Sequence, residues 1–278
     1  MLILKVKPES AVKWQIEDLF VTKEKNMKLK CIACDALSRP VYLCAAFSPH
    51  IVDIELVQRG LHNQPAQLRE TLQSRIDTIS SQNYDAILLL YGLCGKATAG
   101  LTSRNLPLVI PRAHDCITLF LGSRERYKEQ FEQHPGTYWY VHDYIERDDG
   151  SGGALSLGSG ADTTNLEAEY QTYVEKYGKD NADYLMGVMG AWKKHYQRAV
   201  FIDHSIGDGS QVKAKAQAQA AQRGWTYEEI PGDLDLVRRL FQGTWSDNGD
   251  PDFLVIPPGL SVAMTYDDDV IGCGLLKT

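Results

Sequence analysis

Two short segments of the sequence combine glycine or polar residues with side chains that bind metals. The first is Gly-Leu-Cys-Gly at residues 92–95, and the second is Ala-His-Asp-Cys at residues 113–116. Thiolate and imidazole are ligands that zinc and iron prefer, and a thiolate on a metal is held deprotonated. His114 and Cys116 are two residues apart on a predicted loop, so both side chains can turn towards one point. These residue types therefore predict a metal centre.

Cys116 also stands at the predicted start of a helix, with Asp115 as the candidate N-cap. A helix N-terminus lowers the pKa of a thiol and raises its reactivity. We therefore predict Cys116, His114 and Asp115 as catalytic residues. In a metal-free alternative, Cys116 is the nucleophile and His114 its base. Glycines on both sides of Cys94 allow the backbone to turn sharply and to approach a ligand closely.

The other cysteines divide between the predicted core and the predicted site. Cys31 and Cys44 are expected to be packed thiols, because free cysteine is among the most buried residue types. Cys34 follows the first predicted strand and is a candidate metal ligand together with Cys94, His114 and Cys116. Cys31 and Cys34 have CxxC spacing, but no second CxxC accompanies them. Cys273 is expected to lie outside the site.

Three arginines, Arg112, Arg124 and Arg126, lie around the second segment. Guanidinium groups bind carboxylate or phosphate through two parallel hydrogen bonds, so we predict these residues as substrate-binding. A solvated charged face is the alternative. Residues 207–210 (Gly-Asp-Gly-Ser) follow a predicted strand and open a helix, a pattern typical of a plain turn and less often of an anion site.

An alternation of strands and helices must position these residues. The apolar runs at 85–91 and 106–110 predict strands buried on both faces. The other predicted strands cover 28–34, 51–57, 138–141, 199–203, 225–230 and 253–256. The predicted helices cover 64–79, 117–133, 165–177, 182–195, 211–223 and 234–241. The helix at 117–133 is predicted to break near Gly122 and Ser123, where Ser123 could cap a second helix. This pattern predicts an α/β fold with mostly parallel, doubly wound, Rossmann-like sheets in one or two lobes.

Glycine and serine dominate residues 149–161, which we predict to be a flexible loop or hinge. On this interpretation residues 1–26 are an N-terminal extension, residues 27–148 a first α/β lobe with the Cys/His site, and residues 162–278 a second α/β lobe. Ligands of parallel sheets bind outside the carboxyl ends of the strands. The cysteines and His114 of the predicted site should therefore meet at one edge of one sheet.

Composition excludes several classes of function. A net charge of −7 argues against binding nucleic acid, because no basic excess is present to neutralise phosphates. No apolar run approaches the roughly 20 residues that cross a bilayer, and the first residues turn charged at once, unlike a signal peptide. Six cysteines in 278 residues are too few for a disulfide scaffold. We therefore expect a cytoplasmic protein that acts on a small-molecule substrate, and a homo-oligomer is compatible with the sequence.

The two segments resemble the core of a family called domain of unknown function 1638. The resemblance rests on Tyr-Gly-Leu-Cys-Gly at 91–95, Pro-Arg-Ala-His-Asp-Cys at 111–116, Leu-Gly-Ser-Arg-Glu-Arg-Tyr at 121–127, Tyr-Leu-Met-Gly at 184–187, Pro-Gly-Asp at 231–233 and Pro-Pro-Gly at 257–259. It implies a setting, since such proteins are typical of anaerobic bacteria and methanogens, often encoded beside corrinoid-dependent methyltransferases. The spacing of His114 and Cys116 is also similar to the start of the zinc motif in enzymes that methylate thiols from methylcobamides, although those enzymes are TIM barrels.

Besides the metal-free nucleophile, three functions are open at this point. The first is a metal-dependent enzyme of anaerobic C1 or methyl-transfer metabolism, in which zinc activates a thiol and a corrinoid partner protein supplies the methyl group. The second is a [4Fe–4S] enzyme, a lyase, a dehydratase or an electron donor, with Cys34, Cys94 and Cys116 as cluster ligands. The third is a non-catalytic, corrinoid- or metal-handling partner of a methyltransferase.

Overall fold

The computed structural model describes residues 26–134, 136–147, 196–246, 249–265 and 267–275, together with residues 174 and 179. Most of the predicted N-terminal extension lies outside the described residues. So do the predicted hinge at 149–161 and the predicted helices at 165–177 and 182–195, apart from residue 174.

Five strands form the larger sheet. They are β1 (Lys28–Cys34), β2 (Ile51–Val57), β3 (Ala86–Leu90), β4 (Leu108–Pro111) and β8 (Phe253–Ile256). Their spatial order is β2-β1-β3-β4-β8, and the first four run parallel. All five residues of β3 are buried, as its uninterrupted apolar run predicts. The predicted α/β fold with mostly parallel strands is confirmed, and β8 departs from it because it pairs antiparallel with β4.

The remaining strands form two smaller sheets. β5 (Thr137–Val141), β6 (Arg198–Asp203) and β7 (Thr226–Pro231) form a parallel sheet with β6 in the centre. β9 (Ser261–Met264) and β10 (Ile271–Gly274) pair antiparallel, and the sequence pattern predicts neither of these two strands.

Helices cover the sheets. They are α1 (Ser38–Ala46), α2 (Pro65–Asp77), α3 (Cys116–Leu121), α4 (Arg124–Gln133), α5 (His142–Glu146), α6 (Ser210–Arg223) and α7 (Asp235–Gln242). In α2 the buried residues Leu68, Leu72 and Ile76 are spaced four apart, which places them on one face of the helix. None of the helices in the described part of the chain has the length and apolar character needed to cross a membrane.

The predicted break between α3 and α4 is confirmed, and so are both predicted caps. The Asp115 carboxylate accepts a hydrogen bond from the Ile117 main-chain N–H, and the Ser123 hydroxyl accepts one from that of Arg126. Gly122 ends α3 in a left-handed conformation, with φ 70°. Because these signals are local, the sequence alone locates the start of α3, where Cys116 lies.

The five-stranded and the three-stranded sheets each contain strands from both sides of the predicted hinge. β5 precedes it and pairs with β6, which follows it, while β8 returns from the end of the chain to pair with β4. One apolar core contains residues of both sheets, among them Leu88 and Val109 from the larger and Val141 and Val200 from the smaller. The two sheets therefore pack on each other through this core, and the division into two lobes stays a prediction.

Candidate functional site

The strand order of the larger sheet creates a topological switch point between β1 and β3. From β1 the chain forms β2 on one side, and it then returns to form β3 on the other side of β1. In open parallel sheets, ligands bind in the crevice outside the carboxyl ends of the strands at such a point. Cys34 is the last residue of β1 and Tyr91 directly follows β3. The switch point therefore lies where the sequence predicts the site.

The loops that follow β3 and β4 are joined by main-chain hydrogen bonds. The N–H of Leu93 donates to the carbonyl of Ala113 at 2.8 Å, and the N–H of Cys94 donates to the carbonyl of His114 at 3.0 Å. Gly92 permits this approach, because a Cβ atom there would lie 2.6 Å from the Cα of Asp115. Gly92 therefore allows the loop after β3 to pack closely against the loop after β4.

The Cys94 loop adopts an uncommon backbone conformation. Cys94, Gly95 and Lys96 have φ values of 45°, 65° and 74°, so three successive residues lie in the left-handed region. Such a conformation is costly for a residue with a side chain, and strained residues of this kind cluster at functional sites. Helix α2 supports the loop, since the Arg69 guanidinium donates to the carbonyls of Lys96 at 2.5 Å and Ala97 at 3.3 Å.

Cys34, Cys94 and Cys116 form a thiol cluster, each partly exposed and each within electrostatic reach of the others. Burial raises the pKa of Cys34 to about 12. It also raises the pKa of Cys94, to which the Cys34 and Asp115 charges add, and that of Cys116. The thiols are therefore protonated at neutral pH.

The predicted lowering of the Cys116 pKa by the helix N-terminus is wrong. The main-chain hydrogen bond at the start of α3 does lower it, but burial and the nearby Cys94 and Asp115 charges outweigh this contribution. The catalytic role of Cys116, His114 and Asp115 stays a prediction.

His114 and Asp115 differ in their surroundings. The His114 side chain is exposed, and its ring stacks on that of Tyr127 with 6.0 Å between centroids. Asp115 Oδ1 accepts from the Ile117 N–H at 2.9 Å, and Oδ2 accepts from the Tyr127 hydroxyl at 3.1 Å. Burial raises the pKa of Asp115. Both oxygens of this carboxylate thus hold the loop in place.

Within the described ranges, no group of three or more His, Cys, Asp or Glu side chains is arranged to hold a metal ion. The assignment of Cys34, Cys94, His114 and Cys116 as metal ligands stays a prediction. What the structure adds is that three of them surround the switch point, whereas the imidazole of His114 faces solvent beside Tyr127.

The three predicted substrate-binding arginines contact main-chain carbonyls. Arg112 donates to the carbonyl of Asp250 at 3.1 Å and to that of Ile271. Arg124 donates to the carbonyls of Pro251 and Asp268, and Arg126 to that of Pro231 at 2.6 Å. These contacts connect the segment after β4 and the first turn of α4 to later parts of the chain. The substrate-binding role of the three arginines stays a prediction.

A polar group that the sequence did not reveal lies beside Cys34. Asp35 Oδ1 accepts from the Arg59 N–H at 2.8 Å, and the buried Arg59 guanidinium lies 5.2 Å from the ring centroid of Tyr144. The positive charges of Arg59 and Arg147 both act to lower the pKa of Cys34. Only the adjacency of Asp35 to Cys34 was visible in the sequence, because the other residues come from distant segments.

The cysteines predicted to be packed are buried. Cys31 is inaccessible and Cys44 is 5% exposed, both within the core shared by the two sheets. Cys273 is exposed in β10, away from the thiol cluster in the fold. The His204 ring donates a 2.8 Å hydrogen bond from Nε2 to the Phe120 carbonyl, so it has a structural partner.

One comparison with known proteins gives a match. The model of the family described as "Protein of unknown function (DUF1638)" matches residues 56–241, about two thirds of the chain. The matched range contains Cys94, His114 and Cys116 and begins after Cys34. No curated protein and no solved structure matches the chain.

Proposed function

The chain belongs to the DUF1638 family, and we propose that it is a metal-dependent enzyme of anaerobic C1 or methyl-transfer metabolism. In this proposal Cys34, Cys94 and Cys116 supply the thiolates that hold the metal. The observation that carries it is their common location, since they come from the end of β1 and from the loops after β3 and β4. They surround the switch point, which is the position where an open parallel sheet binds its ligand.

The chemistry of the donor set fits a metal. Three neighbouring thiols with raised pKa values become thiolates together only if a strong positive charge compensates them. The negative charges of Asp115 and Asp35 oppose ionisation of Cys94 and Cys34, respectively. The positive charges of Arg59 and Arg147 favour ionisation of Cys34. Because the described side chains are not arranged to hold a metal ion, the proposal requires the thiol side chains to rotate towards one another on binding.

When bound, zinc would keep a substrate thiol ionised at neutral pH, as the nucleophile for a methyl group carried by a corrinoid protein. The chain's own residues hold the ligand loops. Gly92 and the two hydrogen bonds between the loops fix Cys94 against the segment before Cys116. Asp115 fixes the start of α3 and connects it to Tyr127.

The proposal is tested by elemental analysis of protein purified without oxygen. We expect stoichiometric metal in the natural chain, and its loss from Cys34→Ser, Cys94→Ser and Cys116→Ser. Cys44→Ser and Cys273→Ser are the controls and should keep the metal, because their thiols are in the core and in β10. Full occupancy in the Cys94 and Cys116 variants would disprove the site.

Methyl transfer is a separate step of the test. Zinc-containing protein should transfer the methyl group of methylcobalamin to a small thiol, and Cys116→Ser should abolish the transfer. If the protein holds metal and binds a corrinoid methyltransferase without turnover, it is instead a metal-handling partner. We place either activity in the cytoplasm, where reducing conditions keep all six cysteines as the free thiols seen here.

A [4Fe–4S] cluster is the second candidate, and one observation favours it. The cluster of side chains at the switch point consists of three thiols, while the His114 imidazole is exposed and stacks on Tyr127. Three cysteine ligands leave one iron of a [4Fe–4S] cluster open to substrate, which suits a lyase, a dehydratase or electron delivery. Brown protein with about four irons and four sulfides would select this candidate. Colourless protein with zinc would exclude it.

A further inference from the structure

Tyr91 has a buried hydroxyl group without a hydrogen-bond partner. The residue is 3% exposed, and its Oη forms no hydrogen bond with any described part of the chain. Buried polar groups nearly always have a partner, and an exception points to a bound group such as an ion, water or ligand. Phenylalanine would fill the same space without this unpaired group. The hydroxyl therefore requires an explanation.

Strand register places Tyr91 beside Cys34. The pairing of β1 with β3 ends at Ala33 and Leu90, so Cys34 and Tyr91 are the next residues on the two strands. Side chains alternate between the faces of a sheet, which puts both on the face that carries Ile32 and Leu89. On that face Cys34 and Cys94 pack against the apolar cluster to which Tyr91 belongs. Tyr91 thus lies at the switch point on the same face as two thiols of the cluster, neither of which forms a hydrogen bond with its hydroxyl.

The phenol at this position is a hydrogen-bond donor. Burial, followed by the charges of Cys34, Cys94 and Asp35, raises the pKa of Tyr91 well above its usual range. A phenol ordinarily loses its proton only at about pH 10, so the O–H bond is retained at neutral pH. A neutral donor beside groups that become anions stabilises the anionic form.

We infer that the Tyr91 hydroxyl donates a hydrogen bond to an anionic atom bound at the thiol cluster, either a ligand sulfur of the metal centre or the thiolate of a bound substrate. This inference rests on the proposed function and adds a ligand-binding residue to it. It also explains why the hydroxyl lacks a partner in the metal-free chain, because the anionic sulfur is in place only when metal or substrate is bound. The Tyr91 hydroxyl would then favour binding of an anionic sulfur over a neutral group at the same position.

The test compares Tyr91→Phe with the natural full-length chain, using Tyr84→Phe as the matched control. The Tyr84 hydroxyl donates to Asp53 at 2.7 Å at the other end of the sheet, so this control loses one hydrogen bond far from the thiols. The probe is Co²⁺ added to reduced, metal-free protein, and binding is read from its thiolate charge-transfer absorption. We expect about tenfold weaker Co²⁺ binding in Tyr91→Phe, because a hydrogen bond to a charged group is lost, and no change in Tyr84→Phe.

A second measurement identifies the atom that Tyr91 contacts. If Co²⁺ affinity is unchanged but the Co²⁺ protein binds an added small thiol about tenfold more weakly, the contact is with the substrate thiolate. If neither affinity changes, the inference is overturned, although the metal site itself stands. Absence of Co²⁺ binding by the natural chain would refute the metal site, and melting temperatures then decide the role of Tyr91.

In metal-free protein the melting temperature of Tyr91→Phe should equal or exceed that of the natural chain, since an unpaired hydroxyl is removed. A lower melting temperature would show that the hydroxyl already has a partner in the protein or in bound water. That result would overturn the inference whether or not the protein binds metal.

Discussion

Gly92 and Asp115 lie so close that no side chain fits between their backbones. A Cβ atom on Gly92 would be 2.6 Å from the Asp115 Cα, 2.7 Å from its nitrogen and 2.8 Å from its carbonyl carbon. These two residues belong to the loops that carry Cys94 and Cys116, and the hydrogen bond from Cys94 N–H to the His114 carbonyl lies beside them. The distance between the two thiols therefore depends on a glycine at position 92.

Gly92→Ala is expected to separate the two loops. The added methyl group meets backbone atoms, which cannot rotate away, so we expect a loss of about 2 kcal/mol in the free energy of unfolding. Thermal unfolding should show a fall of about 4–8 °C in melting temperature, and metal content should fall with it. Gly60→Ala is the control, because a Cβ atom there would have no neighbour within 4 Å. Equal effects of the two substitutions would contradict the predicted role of Gly92.

Metal binding should strengthen as pH rises. Burial raises the pKa of Cys34 to about 12 and also raises those of Cys94 and Cys116, so all three thiols carry protons at about pH 6.5 to 7.5. Each thiolate that forms on binding releases one proton, which gives up to about tenfold higher affinity per proton for each pH unit. Chelator competition at the two pH values measures this slope. Cys273→Ser should leave this slope unchanged, and an affinity independent of pH in the natural chain would contradict thiolate ligation.

Asp115→Asn should stabilise the protein more at about pH 7.5 than at about pH 4.5. Because burial raises the folded-state pKa of Asp115 above the unfolded value of about 3.9, its contribution to stability falls as pH rises through this range. Asparagine stays neutral and can still accept the N-cap hydrogen bond from Ile117. Urea unfolding at both pH values gives the difference.

Asp77→Asn provides a control with a pKa shift of opposite sign. The hydrogen bond from Arg104 lowers the pKa of Asp77, so its carboxylate contributes stability above about pH 3.9 that is lost as pH falls. Asp77→Asn should therefore lose about the same stability at both pH values, because both lie above that limit. The same pH trend in both variants would mean that burial does not raise the pKa of Asp115.

Arg112→Ala should destabilise the fold whether or not Arg112 also binds substrate. Its side chain, 11% exposed, donates to the carbonyls of Asp250 and Ile271, and these acceptors lose a charged donor in the variant. We expect a loss of about 2 kcal/mol on chemical unfolding. Lys128→Ala is the comparison and should change stability by less than about 0.5 kcal/mol, because its ion pair with Asp268 is exposed. A fully stable Arg112→Ala protein with weakened substrate binding would instead support the predicted role of Arg112 in substrate binding.

The sequence by itself determined the local structure around the site. The apolar run at 86–90 fixed β3 because its residues can be buried on both faces, and the capping side chains of Asp115 and Ser123 fixed the starts of α3 and α4. Since ligands bind beyond the carboxyl ends of parallel strands, it also indicated that Cys34 and Cys94 would share one edge of a sheet. Periodicity and caps act over a few residues, so they are readable without knowledge of the fold.

Only the tertiary structure decided how those residues meet. The antiparallel direction of β8 and the pairing of β9 with β10 depend on contacts with distant strands, which no local pattern specifies. Burial reversed the predicted direction of the Cys116 pKa shift, because desolvation by the surrounding chain exceeds the effect of the helix start. The β1–β3 register placed the unpaired hydroxyl of Tyr91 beside Cys34. Register and burial are properties of the packed chain, and no local pattern in the sequence specifies them.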